Sequence, residues 1–155
     1  MATLNDYLEL IRIPNVFTAQ ADILAGFLIA GGGIHEIHLF IYLLCASSFL
    51  YSAGIVLNDT FDYSVDLKER PHRPIPSGRI KRREALSLGV IFLVVGAFLS
   101  TQVSGTSFII SLFLIVSIVS YNGGIKKLSW LGPANMGGCR YLNLLLGLSV
   151  FPLSS

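Results

Sequence analysis

Charge is what this sequence has least of. Asp, Glu, Lys and Arg make up 13% of its 155 residues, against about 25% in an ordinary soluble domain. A disordered chain or a nucleic-acid-binding surface needs many more charges, so both classes are excluded. The same shortage argues against a soluble globule, which would lack the polar surface to solvate itself. Cysteine is scarce as well. Cys45 and Cys139 lie far apart in apolar surroundings and form neither a CxxC pair nor a disulfide framework, so they read as small buried hydrophobes. The first ten residues hold Asp6 and Glu9 but no Lys or Arg. They lack the basic start of a signal peptide and the Arg-rich character of a transit peptide, so the first hydrophobic segment is expected to remain in the mature protein. After Glu84 there is no acidic residue at all.

What is present is hydrocarbon. Apolar residues reach 53% and the mean hydropathy is +0.69. At about 20 residues per crossing the length allows about five spans with short loops. They fall at residues 13–33, 39–57, 85–103, 106–121 and 131–153, each too long and too little alternating for the strands of a membrane barrel. Gly31, Gly32 and Gly33 are expected to end the first span, and Ser104 with Gly105 to separate the third from the fourth. The expected fold class is therefore all-α, a multi-pass transmembrane helical bundle forming a single membrane domain over residues 1–155. Seven of the eleven basic residues lie in the polar block 58–84, and Lys126 and Lys127 lie in the loop 122–130. Two crossings separate these loops, so they share a side. Together with Arg12, the positive-inside rule makes that side, and the N-terminus, cytoplasmic.

The segment after the second span carries the chemistry. Asn58, Asp62 and Asp66 recur at four-residue spacing, so on a helix they share a face, with Asp59 about 100° round from Asn58. Three carboxylates at a bilayer rim repel one another and are costly there. Oxygen ligands of this kind select a hard cation such as Mg²⁺, which favours few carboxylates plus phosphate oxygens. The chain continues Arg70-Pro71-His72-Arg73-Pro74-Ile75-Pro76-Ser77-Gly78-Arg79. Its arginines suit phosphate oxygens, and its prolines stiffen the loop that presents them. A plain positive-inside loop following an acidic helix end is the blander alternative.

The pattern Asn58-Asp59-x-x-Asp62-x-x-x-Asp66, followed by Arg70-Pro71-x-Arg73-Pro74-Ile75-x-Ser77-Gly78, resembles the first signature of the UbiA superfamily of intramembrane prenyltransferases. Arg12 and Asn15 are similar to the polar start of that family's first helix. Tyr121 with Lys126 and Lys127 resembles its loop after the fourth helix, and Met136-Gly137-Gly138-Cys139-Arg140-x-x-Asn143 a pattern at its fifth. The resemblance implies Mg²⁺-dependent transfer of a prenyl group from a prenyl diphosphate to an aromatic or other lipophilic acceptor within the membrane. Asn58, Asp62 and Asp66 would hold the metal, with Asp59 in support. Arg70, Arg73 and Lys126 would neutralise the leaving diphosphate, and Arg140 is a further candidate for that task. Arg12, Asn15 and Tyr121 would contact substrate. The family has about nine helices and a second Asp-rich motif. This sequence corresponds to about five helices and lacks the second motif, so it is expected to be the N-terminal half, with a C-terminal half as its missing partner.

Weaker signals are read more blandly. Asp22 inside the first span is a functional candidate or a hydrogen-bonding partner for another helix. His35-Glu36-x-His38 reads as solvated loop, and Gly26, Gly89, Gly96 and Gly147 as close helix contacts. A CDP-alcohol phosphotransferase would need Asp-Gly and Ala-Arg pairs within the acidic cluster, and neither is present. A non-catalytic membrane subunit that binds an isoprenoid or a partner chain stays open as the alternative function.

Overall fold

The computed structural model describes residues 2–151. The expected close of the fifth span at Leu153, and the segment 152–155, lie outside the described residues. Seven α-helices follow in order: α1 Leu4–Ile11, α2 Ile13–Ile29, α3 Ile37–Phe61, α4 Tyr63–Glu69, α5 Arg82–Thr101, α6 Gly105–Gly123 and α7 Leu131–Leu148. Helices α2, α3, α5, α6 and α7 are the five expected spans. Each packs on the next, and α7 returns to α2, so the five close into a ring, with α3 also leaning across to α6.

Local sequence explains the boundaries. Helix α2 ends with Gly31 in the left-handed region (φ 83°). The amides of Gly31 and Gly32 bond back to Leu28 and Phe27, a glycine-terminated cap that closes the last orphan carbonyls. Ser104 starts α6 by accepting the Ser107 amide on its hydroxyl. The four glycines expected at close contacts are all found there. Gly26 and Gly147 bring α2 against α7, and Gly89 and Gly96 seat Leu57 and Leu50 of α3 against α5.

Inside the ring Ile23, Leu43, Leu50, Leu114 and Leu146 are buried. Outside it Leu28, Ile41, Val94, Phe98, Phe113 and Val116 are exposed. Apolar side chains both inside and outside are the mark of a bundle whose solvent is lipid. Helices α3, α5 and α6 are long and apolar enough to cross a membrane; α2 is apolar but shorter at 17 residues, and α7 carries Arg140 halfway along. The chain is a multi-pass membrane protein. Cys45 departs from expectation: it is exposed, while Cys139 is partly buried. Cys45 sits on an outer face of α3, where lipid in place of packed protein satisfies a small apolar side chain.

A second, smaller core closes one end of the ring. Leu10 of α1, Val56 of α3, Ala85 of α5 and Ile75 and Ile80 of the proline-rich loop bury one another. Helix α1 was not expected from sequence. It is clamped to the loop by Arg79, whose Nη1 donates to Asp6 at 2.6 Å and to Glu9 at 2.8 Å. The Thr3 amide, the Thr3 hydroxyl and Arg79 together hold the Asp6 carboxyl below its ordinary range, the Thr3 amide contributing most. Glu9 and Asp6 raise Arg79 further above its already high value.

Candidate active site

The acidic residues sit where α3 gives way to α4. Helix α3 ends at Phe61 and Asp62 lies between the two helices. The four-residue register nevertheless persists, because the Asp62 amide bonds to Asn58 O and the Asp66 amide to Asp62 O, both at 2.9 Å. The spacing in the sequence therefore survives as a backbone ladder, but the side chains on it divide into separate ion pairs.

Lys126, in the turn after α6, joins the first two rungs. Its Nζ is 2.6 Å from Asp62 Oδ1 and donates to Asn58 Oδ1 at 3.0 Å. Asp66 is fully buried and meets Arg73 Nη1 at 2.8 Å and Arg70 Nη1 at 3.4 Å. Asp59, also buried, receives Arg12 Nη2 on both carboxylate oxygens at 2.6 and 2.9 Å, with Arg73 at 3.4 Å. Arg12 joins α1 to α2 and is left-handed (φ 53°, ψ 55°), the one non-glycine residue with positive φ among those described. Such a conformation persists only where surrounding contacts hold it; here the two-pronged grip of Asp59 does so.

The four residues of the acidic motif do not all line one cavity. A cavity of about 440 Å³ opens between α2, α3, α6 and α7, and Asn58 is the motif residue that lines it. Asp59 and Asp66 face arginines instead, each carboxylate neutralised by a guanidinium in the free chain. Among the described residues no three His, Cys, Asp or Glu side chains converge as a metal cage. The donors that do converge are Asn58 Oδ1 and Asp62 Oδ1, which share one positive point, the Lys126 ammonium. Two hard oxygens meeting at a single cation suit Mg²⁺, which takes few protein ligands. His35 and His38 lie at the opposite end of α3 from this site.

Arg12, Tyr121 and Arg140 line the same cavity. Asn15 does not: it is exposed on the first turn of α2. Arg140 stands away from the other cations and pairs with Asp22 of α2, Nη2 to Oδ1 at 2.7 Å and Nε to Oδ2 at 3.2 Å. Several lining residues carried no recognised motif: Thr18, Ser47, Tyr51 and Asn122. Ser47, Tyr51, Ile55 and Asn58 of α3 recur every three or four residues, as do Leu114, Ile118 and Tyr121 of α6, with Asn122 beside Tyr121. That helical spacing is the signal that finds them. Asn122 is buried; its amide nitrogen donates to Ile118 O at 3.0 Å and Gly54 O at 3.4 Å, while its Oδ1 has no partner among the described residues. Leu50, Ile55, Leu114 and Ile118 supply apolar wall between the polar groups.

The fold and the site together define a helical membrane bundle with a charged cluster at the mouth of an apolar cavity. Residues 22–151 match the UbiA prenyltransferase family, and the chain belongs to that family. It is 34% identical over 127 residues to a digeranylgeranylglyceryl phosphate synthase of Sulfurisphaera tokodaii, covering 81% of this chain and 45% of that protein. The corresponding protein of Methanosarcina barkeri is 30% identical, with 98% and 57% covered. A solved structure concerned with digeranylgeranylglyceryl phosphate synthase in membranes superposes with a TM-score of 0.88 at 32% identity, over 93% of this chain and 52% of that one. A UbiA homologue from Archaeoglobus fulgidus bound to GPP and Mg²⁺ shares the fold, with a TM-score of 0.83 at 18% identity over 94% and 53%. The chain spans about half the length of the curated relatives it matches.

Proposed function

We propose that this chain binds a prenyl diphosphate across the cavity and serves prenyl transfer to a lipophilic acceptor inside the membrane. One observation carries the reading: a single cavity runs from Arg12, Asn58 and Tyr121 to a wall of Leu50, Ile55, Leu114 and Ile118. Such a cavity matches a ligand with a polyanionic head and a hydrocarbon tail. Family membership, and relatives named for a synthase of a prenylated glyceryl phosphate, support it.

In this reading Arg12 keeps Nη2 on Asp59 and turns its remaining N–H groups to the diphosphate. Asp59 is then a positioning residue that aims Arg12. Arg73 and Arg70, anchored on Asp66, and Lys126 add the charge that stabilises the leaving group as the allylic C–O bond breaks and its electron pair goes to the diphosphate. Tyr121 is placed to donate to a phosphate oxygen. The acceptor's nucleophile forms the new bond to the allylic carbon and gives up its proton to the departing diphosphate. The ring of helices keeps water from the allylic cation. Asn58 and Asp62, with Asp66 next on the ladder, would hold Mg²⁺, which supplies Lewis-acid neutralisation of the diphosphate. In this reading the N-terminus and the loops 58–84 and 122–130 face the cytoplasm, as the basic residues require.

The test is retention of a radiolabelled prenyl diphosphate by the chain in nanodiscs, with and without Mg²⁺, followed by transfer to an added lipophilic acceptor. Retention that depends on Mg²⁺ and is lost in Asp62→Asn and Asp66→Asn supports the reading. Equal retention in both variants rejects the metal assignment. Retention without transfer selects the alternative, a non-catalytic isoprenoid-binding chain that works with a partner.

A further inference from the structure

Among the described residues, Asn122 Oδ1 is the one buried side-chain oxygen or nitrogen without a hydrogen-bond partner. The residue is 5% exposed. Its Nδ2 donates to Ile118 O on its own helix and to Gly54 O on α3. Turning the side-chain amide over would set Oδ1 against those two carbonyl oxygens, so nitrogen and oxygen are fixed as they stand. Oδ1 is then an acceptor to which nothing donates. Buried acceptors in that condition are rare and costly, and each calls for a donor.

The place of the amide indicates which donor. Lys126 meets Asn58 at the mouth of the cavity. Asn122, four residues before Lys126, reaches α3 at Gly54, four residues before Asn58. It therefore lies one turn, about 5.4 Å, deeper along the same seam, and it lines the cavity with Asn58 and Tyr121. In the prenyl-transfer reading, on which this inference rests, the diphosphate sits at the charged mouth and the tail lies along the apolar wall. The diphosphate oxygens are negative and repel Oδ1. The tail has no polar hydrogen. The acceptor's nucleophile is the remaining group, and it carries a proton.

We infer that Asn122 holds the acceptor at its reacting group: Oδ1 accepts the hydrogen bond of a nucleophilic hydroxyl, just inside the mouth. With the O–H turned to Oδ1, an oxygen lone pair is left for the allylic carbon. The new C–O bond forms there, while the electron pair of the broken bond stays with the diphosphate. The hydroxyl proton then passes to a departing diphosphate oxygen, and the side-chain amide is unchanged. A carbon nucleophile would leave Oδ1 unmatched, so Asn122 selects a hydroxyl and an ether product. The contact involves that hydroxyl alone, and an acceptor bearing a phosphate elsewhere satisfies it equally.

The probes are a monoprenylated glyceryl phosphate with one free hydroxyl, and the same lipid with fluorine in place of that hydroxyl, which cannot donate. Each is titrated into the chain in nanodiscs with a non-hydrolysable prenyl diphosphate analogue and Mg²⁺ bound, and binding is read by calorimetry. The wild type is expected to prefer the hydroxyl about tenfold, the worth of one hydrogen bond. Asn122→Leu, of similar volume, should abolish the preference and leave the affinity of the fluoro lipid as in the wild type. Asn122→Met, with a more adaptable chain, takes its place if the leucine variant does not fold. A packing role would weaken both lipids equally, and that result overturns the inference. A wild type that does not tell the lipids apart, or binds neither, overturns it without any variant. Loss of the analogue from Asn122→Leu also overturns it, by placing Oδ1 at the diphosphate or its metal. In all these cases binding of the analogue to the wild type leaves the diphosphate reading standing. If the wild type does not bind the analogue, that reading fails and this inference falls with it.

Discussion

Arg12 and Asp59, 47 positions apart, are joined by two hydrogen bonds from a single guanidinium nitrogen, at 2.6 and 2.9 Å. This contact fixes the left-handed junction between α1 and α2 to the end of α3. It therefore decides where the mouth of the cavity lies, and Arg12 is part of that mouth. Arg12→Gln leaves Asp59 buried with only Arg73 at 3.4 Å. Removing one partner of a buried pair typically costs about 3 kcal/mol or more. The expected outcome is a lower melting temperature in detergent together with weaker diphosphate binding. Asp59→Asn should weaken binding too, since an amide holds a guanidinium less firmly.

Lys126 occupies the point where Asn58 and Asp62 offer oxygen to a cation. In the proposed reading the ammonium and a divalent ion would compete for that point in the free chain. Lys126→Met should raise affinity for Mn²⁺ alone by about tenfold, the equivalent of about 1.4 kcal/mol, as read by electron paramagnetic resonance. The same variant should lose affinity for a prenyl diphosphate if Lys126 faces the leaving group as proposed. A parallel change in both affinities would show that Lys126 does not stand between the two.

The five long helices were legible because each is a largely apolar run, three of them long enough to cross a membrane, set off by polar or glycine-rich breaks. The acidic motif was legible because its spacing is helical and nothing in helix propensity asks for three carboxylates there. What the side chains do was not legible. Spacing along one helix does not reveal that Asp59 and Asp66 turn to Arg12 and Arg73, because those partners arrive from other segments. Asp22 was readable as a group needing a partner, but Arg140, 118 positions away, becomes that partner only when α2 packs on α7. Helix α1 escaped notice because eight residues make two turns, too few for a period to stand out. Asn15 shows the converse: it sits in a motif-like position in the sequence, yet it is exposed on the first turn of α2.

The clamp between α1 and the proline-rich loop should respond to acid. Thr3 and Arg79 hold the Asp6 carboxyl below its ordinary value in the folded chain. A group depressed in this way stabilises the fold fully above the ordinary carboxylate range, and that contribution is lost as the pH falls through the folded value. Arg79 stays charged throughout. Protease cleavage in the loop 70–81 should therefore rise as the pH is lowered below about 4, the ordinary carboxylate range. Asp6→Asn should cleave faster than wild type at neutral pH and show a smaller acid response.

Helix α7 contains its own control for the packing argument. A methyl group on Gly147 would lie 2.5 Å from Ile23 O and 3.0 Å from Ile23 Cα, both backbone atoms of α2 that cannot swing aside. Gly147→Ala must push the two helices apart, and overpacking of this kind costs about 1–3 kcal/mol. Gly137, in the same helix, has nothing within 4 Å of such a methyl. There the exchange gains helix propensity, about 0.8–1.0 kcal/mol relative to glycine. Thermal unfolding in one detergent should show Gly147→Ala melting below the wild type and Gly137→Ala at or above it. Because Asp22 is the neighbour of Ile23, separation of α2 from α7 should also lengthen the Asp22–Arg140 pair.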